Sequence, residues 1–178
     1  MPLNIADQLS THFRAYSTAR LLDANKQINR CLKILTQEQI WTRPNEVSNA
    51  IGNLVLHLTG NVNQWILTSL NGEPDQRDRP AEFAQREPLP TEDIAARLKN
   101  TVEAACRVIE KLEPERLTQG INIQGYDTTI LGAVYHVVEH FSLHTGQIVY
   151  ATKLHINQDL SLYDEHGQRL DGNKPSAP

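Results

Sequence analysis

The chain has 178 residues, 39% hydrophobic and 21% charged, with a formal net charge of -4. That length allows one domain with a real core, and an acidic balance without a basic cluster excludes a nucleic-acid footprint. No apolar run reaches the roughly 20 residues of a membrane span. The start, MPLNIADQLSTHF, also lacks a secretory signal, so a soluble cytoplasmic protein is expected.

The first helical period runs from about Ile5 to Leu35, with Ala19, Leu22, Ile28, Leu32 and Leu35 among its apolar positions. Ile40, Trp41 and Pro44 form a connector, because Pro44 breaks a helix and biases Arg43 toward extended geometry. Ser48 is the expected N-cap of a second helix whose apolar face reads Ile51, Leu54, Val55, Leu58, Val62, Trp65, Ile66 and Leu70. Asn71-Gly72 ends it, with Pro74 just beyond.

A polar connector over 73–90 follows, rich in proline and charge and without an apolar period. Loops this long inside a compact domain are uncommon and often functional. Thr91 is the expected cap of a third helix carrying Ile94, Leu98, Val102, Ala105 and Ile109 on one face, and Pro114 closes that segment. After a short extended stretch near 120–126, a fourth helix is expected from Asp127 or Thr128 to about Leu154. These elements predict an all-α, up-down four-helix bundle over 1–156, with a partly disordered C-terminal tail over 157–178. Cys31 and Cys106 have no CxxC partner and are expected as buried small hydrophobes.

Four of the seven histidines fall on two of these helices: His57 on the second, and His136, His140 and His144 on the fourth. Imidazole is the commonest protein ligand for a divalent transition metal, and i,i+4 spacing sets two side chains on one helix face. All three on the fourth helix cannot share one ion. The Cα atoms of His136 and His144 differ by about 12 Å along the axis, whereas two ligand nitrogens cannot be more than about 4.2 Å apart. His144 lies nearest the apolar arc of Ile130, Val134, Val137, Val138, Phe141 and Ile148, so the pair is His140 with His144. A facing helix must complete the site, and His57 stands at the flank of the second helix's apolar face. Three neutral histidines with an exchangeable fourth position match a catalytic rather than a closed structural site. The segment around His140 is not HExxH, and Glu139 points away from the apolar arc, which argues against a metalloprotease base.

The spacing of His57 and Trp65 (HLTGNVNQW), with HVVEHFSLHTGQI on the last helix, resembles the DinB-like superfamily of bacterial metal-binding four-helix bundles over roughly Leu22 to Lys153. The resemblance implies a metal triad of one histidine from the second helix and two from the last, here His57, His140 and His144. It also implies zinc, nickel or a similar ion, and a homodimer. In some members it implies a thiol-dependent transferase or hydrolase in which the metal activates a low-molecular-weight thiol or water on a small-molecule substrate. Asn61, His136 and Arg79 are further expected as supporting or substrate-binding residues: Asn61 stands one turn after His57, His136 one turn before His140, and Arg79 lies in the connector over the bundle mouth. Two other readings stay open at this level, a non-catalytic metal-binding or stress-associated protein and a bundle whose histidines are satisfied by hydrogen bonds alone.

Overall fold

The computed structural model describes residues 4–168 and 170. The first helix, α1 (Ile5–Ile34), is capped by Asn4, whose side chain accepts from the Asp7 amide. The connector after it contains one turn of helix, α2 (Gln37–Trp41), closed by a capping box of Thr36 and Gln39. The second long helix comprises α3 (Ile51–Val62), a π-helical turn (Asn63–Thr68) and α4 (Ser69–Asn71) without a break. Its N-cap is Ala50 and not Ser48, because the Asn53 carboxamide turns back to accept from the Ala50 amide. Gly72 ends it at φ 76°, a left-handed conformation that glycine adopts without a Cβ penalty.

The connector is not structureless. It holds α5 (Arg79–Ala84), capped by the Asp78 carboxylate on the Ala81 amide. The third long helix, α6 (Thr91–Glu110), has Pro90 at its N-cap and Thr91 as its first residue. Between α6 and the last helix, β1 (Gly120–Ile123) and β2 (Tyr126–Thr129) form an antiparallel hairpin with Ile123 opposite Tyr126. Its turn residues, Gln124 and Gly125, both have positive φ (55° and 82°), which matches the twist of a two-residue hairpin. The last helix, α7 (Ile130–Ile156), therefore starts later than its sequence pattern implies, with the Thr129 hydroxyl as cap.

The four long helices form one bundle in which α1 packs on α6 and α7, and α3 packs on the same two. Residue contacts give their directions. Arg14 near the start of α1 donates to the Glu110 carbonyl at the end of α6, while Cys31 and Thr152 meet at the far ends of α1 and α7. His57 meets His140 and Trp65 meets His136, so α3 and α7 run oppositely. Leu67 and Leu70 share a cleft with Ala104 and Val108, which places the ends of α4 and α6 together. Thus α1 and α7 run one way, and α3 and α6 the other. The up-down order expected from sequence is modified at one connection, between two parallel helices, where the chain must return along roughly 30 Å of bundle. That return accounts for the length of the 73–90 connector.

The core lies between the four helices, with Ile28, Val55, Leu58, Val62, Leu98, Val102, Ile109, Val134, Val137 and Ile148 fully buried. Each contributes about 1.5–3 kcal/mol relative to an exposed side chain. Cys31 and Cys106 are free and buried within it, and burial pushes the Cys106 thiol up to about 12. The described part of the tail folds back, burying Leu160 at 3% exposure. The disorder expected for the final residues concerns positions outside those described. Among the described residues, no helix is long and apolar enough to cross a membrane.

Candidate metal centre

The antiparallel crossing of α3 and α7 brings His57, His140 and His144 into one group, each offering a ring nitrogen within 4.8 Å of the others. The Nε2 atoms of His57 and His140 stand 2.9 Å apart. The rings of His57 and His144 meet edge-on at 5.1 Å between centroids, and those of His140 and His144 at 4.4 Å. Nitrogens about 2.0–2.1 Å from a shared zinc-like ion fit within about 4.2 Å of each other. In a tetrahedral arrangement such nitrogens stand about 3.3 Å apart, so the His57–His140 pair would part slightly and the widest pair would close by up to about 1.5 Å.

The opposite edges of two rings are held. His57 Nδ1 donates to Glu82 Oε2 at 2.9 Å, which leaves its Nε2 lone pair facing His140. His144 Nδ1 donates to Gln147 Oε1 at 2.7 Å, leaving its Nε2 free in the same way. A carboxylate or carbonyl on the far nitrogen fixes the tautomer a metal ligand needs. Burial, followed by the neighbouring His144, His57, His136 and Arg77, pushes His140 down to about 3, so its ring is neutral across the ordinary pH range. Burial also lowers His144 and His136. The three-histidine group could hold a divalent metal ion.

Glu82 comes from α5. Its carboxylate accepts from Arg77 Nε at 2.8 Å and Arg77 Nη2 at 3.1 Å as well as from His57. Burial alone would raise this carboxyl, but the hydrogen bonds from His57 and Arg77 outweigh it and hold the group below the usual range. Arg77 Nη1 reaches Gln64 Oε1 at 3.0 Å, tying the connector to the π-helical turn. Two further features seat α5 on α3. The buried Asn53 carboxamide donates to the Glu82 and Gln85 carbonyls, and Gly60 leaves room where a Cβ would overlap the Glu82 carboxylate.

The residues expected around the triad take different places. His136 offers no nitrogen to the group of three; its ring lies tilted against Trp65, with centroids 4.0 Å apart, and stacks on His140 at 5.4 Å. Asn61 is buried beside His57 with no hydrogen-bond partner for Oδ1. Arg79 lies over the Phe83 ring at 5.1 Å, and Phe83 itself packs on His57 at 4.7 Å. All three line a pocket of about 410 Å³ that also reaches His57, His140 and Trp65. The hairpin contributes Gln124, Tyr126, Asp127 and Thr128 to the same pocket. Glu82, Arg77 and Phe83 support His57 from the connector side, and sequence patterns missed Glu82 and Phe83. The only signal was Asp78 followed by Pro80, a helix-start signature in a segment too short to show a period.

A long-helix bundle with a half-buried three-histidine group, each ring offering one free nitrogen, defines a helical-bundle protein with a candidate metal centre. Comparison with known proteins places it further. Residues 8–163 match the family described as "Protein of unknown function (DUF1572)", and the chain belongs to that family. Among solved structures, it resembles a conserved protein from Enterococcus faecalis (TM-score 0.69, 18% identity, 80% of this chain and 96% of that one). It also resembles the DinB-like protein YjoA from Bacillus subtilis (0.61, 16%, 89% and 99%) and a DinB-like protein from Bacillus cereus (0.58, 16%, 74% and 85%). At these identities the likeness concerns the fold. No functionally curated protein matches the chain.

Proposed function

We propose that His57, His140 and His144 hold one divalent ion, zinc or nickel, and that the protein is a metal-dependent enzyme acting on a small molecule. The observation that carries the metal half is the 2.9 Å approach of the His57 and His140 Nε2 atoms, with His57 Nδ1 anchored on Glu82. The thiol half comes from the family resemblance. When bound, such an ion acts as a Lewis acid that lowers the pKa of a thiol or water at its open position. The protein's own part is positioning. Glu82 and Gln147 fix the ring edges, and Trp65 with His136 forms a wall of the pocket beside His140.

The test is a panel of low-molecular-weight thiols with 1-chloro-2,4-dinitrobenzene and the zinc- or nickel-loaded protein. A carbon–sulfur bond forms, the carbon–chlorine bond breaks, chloride leaves and the thiol proton passes to solvent. Thiol-dependent product above the uncatalysed rate, lost in His140→Ala, is the expected result. No acceleration with any thiol would overturn the transferase reading.

A further inference from the structure

We propose that the small molecule bound beside the histidine group carries a carboxylate, and that Arg79 receives it. This inference rests on the reading that the site binds a thiol at its metal. Two guanidinium groups line the pocket, and their situations differ. Arg77 is already paired, with Nε and Nη2 on Glu82, Nη1 on Gln64, and a side chain only 4% exposed. Arg79, an exposed residue, has no hydrogen bond or ion pair to another described residue, and its guanidinium lies over the Phe83 ring. Phe83 in turn packs on His57, so this stack sets an unpaired positive charge at the exposed side of the pocket that reaches the histidines.

None of the nearby carboxylates pairs with Arg79 in the structure. Glu82 serves Arg77 and His57, Asp78 caps α5, and Asp127, itself a pocket residue, accepts from Asn122 Nδ2 at 2.7 Å. An arginine fork with its N–H groups free matches a planar carboxylate in a paired geometry. A phosphate dianion would call for a second free cation, and Arg77 cannot supply one without abandoning Glu82. The volume of about 410 Å³ suits a compact ligand with the thiol at one end and the carboxylate at the other.

Two probes of equal length isolate the charge, 3-mercaptopropionate and 3-mercapto-1-propanol, titrated calorimetrically into zinc-loaded protein. The acid should bind about tenfold more tightly than the alcohol, the scale of one charge-assisted pair. Arg79→Gln should bring the acid down to the alcohol's affinity and leave the alcohol unchanged, while Arg79→Lys retains part of the preference. Equal binding of the two probes by the wild type, or a preference that survives Arg79→Gln, would overturn the inference. Binding of neither probe at full zinc content would instead overturn the thiol reading, and this inference with it.

Discussion

Glu82→Ala is expected to destabilise the metal-free protein by about 3–5 kcal/mol, the usual cost of removing one member of a buried ion pair. The cause is Arg77, whose guanidinium would remain buried without the carboxylate it pairs with. The same substitution frees the Nδ1 edge of His57, and loss of such an outer partner weakens metal binding by about 10–100-fold. Glu82→Gln keeps the shape and one acceptor oxygen, so it should fall between alanine and wild type in both respects. Chemical denaturation of the metal-free proteins and competition titration with a chelator measure the two effects separately. A stability change under about 0.5 kcal/mol, the ordinary range for a surface substitution, would show that the connector does not pack on α3 as described.

Phe141→Ala should be as costly to stability but leave the site in place. Phe141 follows His140 directly, yet its ring turns inward and is 1% exposed among the core residues. Truncation removes a large apolar side chain and leaves a cavity, at a cost of about 3–5 kcal/mol. The imidazoles of His140 and His144 lie on the neighbouring face of α7, so the folded variant should keep the wild-type metal content. Denaturation and elemental analysis of the same preparation check both halves. Loss of the metal from a protein that is still folded would contradict the separation of core from site along this helix.

The two substitutions mark what was and was not legible in the sequence. The histidines were legible because α3 and α7 are long enough for a 3.6-residue period to fix which face each side chain occupies. Spacing alone also set His136 apart from the three ligands, and in the structure that ring lies between Trp65 and His140. Glu82 and Phe83 were not legible, since α5 has only six residues and no periodic face can emerge from so short a helix. What brings them to His57 is tertiary: the Asn53 bonds to the connector carbonyls and the space left by Gly60. The parallel course of α3 and α6 was hidden for a similar reason. Connector length permits a return along the bundle, but only the packing partners of Leu70 and Trp41 reveal that the chain makes one. The hairpin was compressed into a short extended stretch because Gln124 takes a positive φ that its identity does not advertise.

The most direct measurement is the divalent-metal content of untagged wild-type protein beside His57→Ala and His144→Ala. The expected result is about one ion per chain in the wild type, as a single three-histidine site requires, and loss of that ion in both variants. A wild type that holds no metal after reconstitution with zinc and nickel, or variants that retain it, would contradict a metal centre built across α3 and α7.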